Sequence, residues 1–424
     1  MTISPELEKI EALRPDFEYV DGDTDGVIMT VGFVGSFYFW GGHTVAKRLA
    51  LVECFEAYEA AFGSHFKWGW NPDNWRPVNL AKKSFPTLRE YIKPLDEDDA
   101  IGWYVSSANG PDEVGDYVAS CMTERGWEEG EPSCFQFQLP LAYAFDAEKL
   151  SVLESFLALC ADKLIPFHGV AGLTATTVEQ AITWEPEALD LATRYRALYI
   201  EDIVRDGKHA PNGIKGVNWL TYIGDLFTER LGGPKDFAAY CQRFNVQPER
   251  MANGFFIRAG ATPQLGPVDE PPPEAYVRAN AAIRPLRNGK YGSMGSGSID
   301  GELRFTRCTS DLWIRRFDGP GIWPPASFTG LPRSPVGTRP TKKIRIGTGE
   351  SCIVHGRYRK YPLEPAQPGD GDDNIRGPMI VLLPGDLAPY HVTLGPHGEF
   401  VSREATTWEL VAELPLERVG QVLK

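Results

Sequence analysis

The sequence predicts an α+β fold, in which a layered mixed sheet with helices is followed by a small β-rich domain. Segments with strand and helix periodicity alternate up to about residue 290, and the chain then becomes rich in proline and glycine. Charge changes at the same place: residues 1–290 hold 27 basic and 42 acidic groups, whereas residues 291–424 hold 16 and 15. We therefore expect an acidic α+β domain over residues 1–290, a Gly/Ser linker over 291–298 and a β-rich domain of unassigned role over 299–424.

Strand and helix signals can be placed in order along the first domain. Strands are predicted at 27–40, 101–106, 134–143, 170–174, 213–222 and 254–258. A helix begins near Thr44, with an apolar face formed by Val45, Leu49, Val52, Phe55, Tyr58 and Phe62. Further helices are predicted after Asp146, from Pro186 to about Tyr199, before the Leu231–Pro234 stop and over 274–283.

The second domain gives weaker signals, all of them β-like. Short strands are predicted at 343–346, 352–355 and 379–383, and we expect no helix before Glu413.

Composition indicates a soluble globular protein. The 424 residues are 42% apolar and 24% charged, with a formal net charge of −14. The sequence shows no signal peptide and no apolar run of transmembrane length. Its seven cysteines have no paired spacing, and Cys54 and Cys160 lie on apolar helical faces, so we expect buried thiols and a cytoplasmic location.

The acidity is concentrated between residues 96 and 131, where eleven carboxylates stand against a single cation, Arg125. By charge alone, a solvated face that keeps the protein soluble is the commoner explanation. The other reading is a folded surface that repels nucleic acid and membrane and attracts a basic protein. The candidate partner-binding residues are the carboxylates Asp96, Glu97, Asp98, Asp99, Asp112, Glu113, Asp116, Glu124, Glu128, Glu129 and Glu131, and the aromatic residues Trp103, Tyr104, Tyr117 and Trp127.

Motifs for metal or catalytic chemistry are weak. The Asp21–Gly26 segment matches the first half of a calcium loop, but Gly32 occupies the position of the bidentate carboxylate, so we expect a turn before a strand. The Asp370–Asn374 segment departs further from that pattern and is predicted to be a solvated loop. The histidines are scattered, and His43 near a helix start has no nucleophile signature beside it. We expect no catalytic residue, no metal and no cofactor.

Three tryptophans, Trp68, Trp70 and Trp75, cluster around an Asn-Pro-Asp-Asn turn. Such a cluster can bind single-stranded nucleic acid when it is mixed with basic residues. The strongly acidic domain disfavours that reading, so we expect core packing first and a protein interface second.

Two ordered signatures resemble those of a known family. The first is Gly213-Ile-Lys-Gly-Val-Asn-Trp-Leu-Thr-Tyr-Ile-Gly224 with Leu231-Gly-Gly233 after it. The second is Gly254-Phe-Phe-Ile-Arg-Ala-Gly-Ala-Thr-Pro-Gln-Leu-Gly266, followed by Tyr276 and Ile283-Arg-Pro-Leu-Arg287. Residues 15–290 resemble the type VI secretion immunity family, some members of which are paired with VRR-type nuclease effectors. The C-terminal region lies outside the resemblance, and Leu265–Glu270 departs from the family pattern.

The resemblance implies a non-enzymatic protein that neutralises a cognate secreted toxin by binding it. Since nucleases carry basic grooves for phosphate backbones, an acidic inhibitor surface would be complementary to one. The expected partner is therefore a secreted toxin with a basic groove, with no direct contact to nucleic acid or membrane. Two alternatives remain open, an uncharacterised hydrolase and a two-domain scaffold or adaptor.

Overall fold

The architecture is taken from a computed structural model of the 424-residue chain. The structure describes residues 4–22, 24–81, 85–178, 184–295, 304–332, 335, 337–362 and 377–416.

The described residues contain one large antiparallel sheet of eleven strands. In spatial order the strands run β10-β11-β9-β8-β2-β7-β6-β5-β3-β4, and β1 pairs with the start of β2. Their bounds are β1 Tyr19–Val20, β2 Val27–Phe39, β3 Trp68–Trp70, β4 Pro77–Asn79, β5 Gly102–Ser106, β6 Val118–Met122, β7 Ser133–Leu139, β8 His168–Thr177, β9 Leu220–Gly224, β10 Glu249–Met251 and β11 Gly254–Arg258.

Eleven α-helices are found in the described part of the chain, and two of them, α3 and α5, pack on one face of the sheet. Asp146 caps α5 through its side chain, as the sequence predicts, and Thr44, near which a helix start was predicted, caps α3 in the same way. Aromatic rings join these helices to β7, with Phe55 5.1 Å from Phe135 and Phe156 4.9 Å from Phe137, centroid to centroid. The bounds are α1 Pro5–Ala12, α2 Arg14–Phe17, α3 Val45–Phe62, α4 Leu88–Tyr91, α5 Ala147–Leu164, α6 Glu185–Arg194, α7 Ile203–His209, α8 Asp225–Thr228, α9 Pro234–Gln242, α10 Glu274–Ile283 and α11 Arg307–Ile314.

The C-terminal region forms two small separate sheets. One has the order β12-β17-β13-β14, and the other is the hairpin β15–β16. This arrangement, together with the large antiparallel sheet and its helices, confirms the predicted α+β class with a β-rich C-terminal region. The bounds are β12 Arg345–Gly347, β13 Gly356–Tyr361, β14 Met379–Leu382, β15 His391–Leu394, β16 Phe400–Glu404 and β17 Thr407–Glu413.

Several local predictions were wrong. Helix α11 was missed because it has only eight residues and four of them, Arg307, Thr309, Ser310 and Asp311, are polar, although seven of the eight are buried. The segment 352–355 is not a strand, and α6 ends at Arg194 rather than near Tyr199. Val45 and Leu49 are exposed, because the buried face of α3 instead includes Arg48 and Leu51.

Residues beyond the predicted linker contribute to the main core. Phe305, Leu312, Trp313 and Trp323 are buried in the same cluster as the strands of the large sheet. Before them, Met294 is buried and its N–H donates to Ser310 Oγ at 2.8 Å. The division of the chain at residues 291–298 stays a prediction, and residues 296–298 lie outside the described part.

The first family signature is explained by packing. Gly213 has a φ of +144°, and a Cβ there would lie 2.6 Å from the Leu286 carbonyl oxygen, so glycine allows this backbone to approach the 286–288 segment. Lys215 is buried, and its Nζ donates to the Ile200 carbonyl at 2.6 Å and to the Asp206 carboxylate. The Tyr199 ring lies 4.6 Å from that ammonium. These residues hold the fold together.

His168 should make a contribution to folding stability that is lost as the pH is lowered from about 6.5 to about 4. This side chain is buried, and burial lowers its pKa to about 4, against an ordinary value of 6.5. Between these values the unfolded chain binds a proton that the folded chain does not, so acid favours unfolding by up to about 1.4 kcal/mol per pH unit. We expect H168Q to flatten this slope in denaturant titrations, whereas the exposed H65Q control keeps it. An unchanged slope in H168Q would contradict this assignment.

Candidate functional site: an acidic rim and a groove on the sheet

The acidic segment is continuous in sequence but divided in space. Strands β5 and β6 are antiparallel neighbours, so the loops before β5 and after β6 meet at one end of the sheet, and the β5–β6 connection lies at the other. Five residues of strand separate the two ends by roughly 17 Å. The candidate residues therefore form two clusters, not one surface.

The larger cluster, which we call the acidic rim, combines the loops on either side of β5 and β6. The Gly126 N–H donates to the Glu97 carbonyl at 2.7 Å, and the Thr123 N–H donates to the Ile101 carbonyl at 2.9 Å, which ties the two loops together. All of its carboxylates are exposed except Glu128, which is half-buried and pairs with Arg125 at 2.7 Å. The acidic rim consists of Asp96, Glu97, Asp98, Asp99, Glu128, Glu129 and Glu131.

The smaller cluster, Asp112, Glu113 and Asp116, occupies the β5–β6 connection. It lies beside the Asp21–Gly26 turn, since the Val114 N–H donates to the Val27 carbonyl at 2.8 Å. That turn leads directly into β2, as predicted. Among the described residues, no group of three or more metal-ligating side chains occurs. Asp23 of the turn and the Asp370–Asn374 segment lie outside the described residues.

The four candidate aromatic residues have different environments. Trp103 is buried against Phe85 and Tyr91 on the helix-covered face, whereas Tyr104, one residue on, lies half-buried on the opposite face. Tyr117 is half-buried and stacks on His65 with ring centroids 4.1 Å apart. Trp127, in the acidic rim loop, has 64% of its surface exposed.

Glu124, the remaining candidate carboxylate, is buried and joins the segment after β6 to Ser133 and His43. Its carboxylate accepts from Ser133 Oγ, and its Oε1 lies 3.2 Å from His43 Nδ1. Burial raises the pKa of Glu124, and the bonds from its neighbours only partly oppose this. Because the carboxylate stands between the serine and the histidine, this group lacks the serine–histidine contact that activates a nucleophile.

A groove crosses the face of the sheet that α3 and α5 leave uncovered. Strand alternation directs Tyr104, Ser120, Gln136 and Gln138 towards this face, while the rings of Trp103, Phe135 and Phe137 pack on the covered side. The groove consists of two adjoining depressions of about 800 Å³ and 730 Å³. We call this feature the sheet-face groove; both depressions are lined by Trp75, Met122, Cys134, Ile203, Val204 and Lys208.

Helix α7 forms one wall of the sheet-face groove and is anchored by buried polar contacts. Asp206 on this helix binds Lys215 and the Tyr291 hydroxyl. Burial raises the pKa of Asp206 to about 7, although Lys215 acts in the opposite direction. Glu201, just before the helix, accepts hydrogen bonds at 2.9 Å from both Ser36 Oγ and the Tyr38 hydroxyl. These contacts fix the wall against the strands.

The sheet-face groove and the acidic rim are continuous. Trp127, Glu128, Glu129 and Glu131 line the second depression as well as belonging to the rim loop. Trp75, from the β3–β4 turn, lines both depressions with 51% of its surface exposed. The tryptophan cluster predicted to be core is therefore divided, since Trp68 is buried and Trp75 is not.

Comparison with known proteins assigns the chain to a family. Residues 50–317 match the family model described as TsiV, type VI immunity for VRR-NUC. This chain belongs to the TsiV family. The match extends past Arg287 and includes α11, which the sequence analysis had placed outside the resemblance.

A solved structure supports the fold assignment. The Pseudomonas aeruginosa T6SS protein PA0821 is 24% identical, with a TM-score of 0.65. The alignment covers 73% of the present chain and 90% of that protein, so the two share a fold. No curated protein matched. Among the described residues, no helix is long and apolar enough to cross a membrane.

Proposed function

We propose that this TsiV-family protein acts in the cytoplasm, where it binds a VRR-NUC effector and blocks the surface through which the effector holds nucleic acid. Family membership supplies the class of partner. The observation that carries the proposal is the acidic rim, in which seven carboxylates surround one cation, Arg125. A nuclease needs basic groups to hold a phosphate backbone, so its working surface has the opposite charge.

The rim is suited to rapid capture. Glu129 and Glu131 are exposed and form no ion pair with any described residue, so their charges are directed to solvent. Complementary fields raise association rates by one to three orders of magnitude at low salt. Exposed Trp127 beside these carboxylates can supply buried contact area once the partner has docked.

Co-expression tests this function directly. The cognate VRR-NUC effector should be lethal in a host strain alone and harmless when this chain is produced with it. In vitro, one equivalent of the purified chain should abolish plasmid cleavage and form a stable complex on gel filtration. Continued cleavage with excess chain, and no complex, would overturn the proposal.

A further inference from the structure

The β3–β4 turn holds Trp75 in a strained conformation at the mouth of the sheet-face groove. Trp75 has a φ of +51°, a left-handed backbone that a bulky residue seldom adopts. The Asn71 carbonyl accepts from the Trp75 N–H at 2.8 Å, and Asn71 Oδ1 accepts from the Asp73 N–H at 2.9 Å. Asn74 Oδ1 accepts from the Arg76 N–H at 3.1 Å. These bonds fix the turn, and a strained residue fixed in this way is a marker of function.

The indole of Trp75 lies on Gly102, at the start of β5. A Cβ added to Gly102 would lie 2.5 Å from Trp75 Cζ2 and 2.7 Å from Cη2, so the ring occupies the space that any larger side chain would need. Gly102 does not have a left-handed backbone, so alanine is conformationally acceptable there. Glycine at this position therefore serves to seat the tryptophan.

Exposed apolar side chains are gathered in the same groove. Trp75, Met122, Trp127 and Val204 are 51%, 45%, 64% and 42% exposed, respectively, and all four line it. Large aromatic groups that are fixed before binding lose little entropy when a partner covers them, and they commonly dominate binding energy. An apolar group of this kind rimmed by charge is typical of a protein-binding site.

The charged residues around the groove favour a ligand of positive charge. Glu128, Glu129, Glu131, Glu201 and Asp202 line its walls. Three cations also line it: Arg125 pairs with Glu128, Arg205 approaches Asp202 at 3.6 Å, and Lys208 is exposed, so the carboxylates still outnumber the cations. Glu129 and Glu131 form no ion pair with a described residue, so their negative charges can act on a ligand. The face of a tryptophan ring attracts a guanidinium or ammonium group.

We infer that the sheet-face groove receives a protruding basic segment of the effector, with an arginine or lysine side chain packed against Trp75. This inference rests on the function proposed above. The acidic rim defines the interface only by its charge, and the groove adds a specific place where the effector is inserted. The acidic rim attracts the effector, and the groove holds it. The groove residues then determine which effector is retained, because the rim charges are less selective than a fitted pocket.

A double-mutant cycle between positions 75 and 102 tests this inference. The probe is the catalytically inactivated cognate VRR-NUC effector, titrated by calorimetry. We expect W75A to weaken binding on the order of 10- to 100-fold, and G102A to weaken it several-fold because the added methyl group displaces the ring. In the W75A background, G102A should change the affinity less than about twofold, since there is no ring left to displace.

The control is V152A, which trims a similarly exposed side chain on α5, across the sheet. It should bind like the wild type, and thermal unfolding should show that all variants remain folded. Wild-type affinity in both W75A and G102A would overturn the groove while leaving the immunity function intact. An independent effect of G102A in the W75A background would also overturn it. Failure of the unmodified protein to bind the effector would overturn both proposals.

Discussion

Reversing two charges in the acidic rim should weaken effector binding on the order of 10- to 100-fold at low salt. The variant is E129K/E131K, chosen because both side chains are exposed and neither pairs with a described residue. Lysine at these positions repels the basic surface that the carboxylates attract. We expect most of the loss in the association rate, measured by stopped-flow mixing, because exposed rim charges act mainly on encounter.

The salt dependence of the association rate is an independent test of the E129K/E131K charge reversal. Screening weakens attraction between exposed charges, since the Debye length falls from about 30 Å at 0.01 M to about 10 Å at 0.1 M salt. The association rate of the wild-type protein should therefore fall steeply over this range. The slope for E129K/E131K should be flatter, because fewer favourable charges remain to be screened.

The other half of the acidic segment provides a matched control. D112K/D116K makes the same change in net charge at two exposed carboxylates, roughly 17 Å away at the opposite end of the strands. We expect this variant to bind within a few-fold of the wild type. Equal losses in the two variants would mean that overall charge, and not the rim, attracts the effector, and wild-type behaviour in E129K/E131K would remove the rim from the interface.

The sequence was sufficient for the fold class because each main element carries a local signal. Thr44 and Asp146 cap the two helices that cover the sheet, and the β-rich run at 27–39 became its longest strand. Helix α11 carried a weaker signal: Thr306 caps it, but half of its eight residues are polar, and seven of the eight are nevertheless buried. Its burial depends on partners distant in sequence.

The candidate acidic residues could be proposed from the sequence, whereas the sheet-face groove could not, for a geometric reason. The candidate carboxylates and Trp127 were proposed from the sequence, which also grouped Trp103 with Tyr104, although strand alternation must place these two on opposite faces. Alternation does not reveal which face the helices cover. The sheet-face groove needs the β3–β4 turn, residues of the five strands β2, β5, β6, β7 and β8, and α7 to come together, and no local pattern encodes that assembly. The available sign in the sequence was Trp75 after an Asn-Pro-Asp-Asn turn.

A buried ion-pair network should be the most sensitive point for stability. Arg287 and Asp318 form a two-pronged pair, with N–O distances of 2.5 Å and 3.0 Å. Arg284 approaches the same carboxylate at 3.7 Å and makes two 2.7 Å bonds to Asp386, in the segment that leads to β15. Arg315 lies 3.8 Å from Asp318. The two arginines of the Ile283–Arg287 signature thus connect the sheet layer to the C-terminal region.

Asp318 is the shared acceptor of this network. Burial alone would raise its pKa, but Arg287, Arg284 and Arg315 together hold the pKa of this carboxyl well below its usual range. Its folded-state pKa is lower than its unfolded value, so its contribution to stability is present above about pH 4 and is lost as the pH falls.

D318N should lower the free energy of unfolding by about 3–5 kcal/mol, because it leaves buried arginines facing a neutral group. Denaturant titration at pH 7 measures the loss, and R89A is the control. Arg89 forms an equally short pair with Glu56, at 2.6 Å, but both side chains are exposed and screened by solvent, so we expect R89A to cost far less than D318N. Similar losses in the two variants would contradict the role given to burial. A small loss in D318N would mean that water or local rearrangement compensates the arginines, and that the signature arginines do not hold the C-terminal region in place.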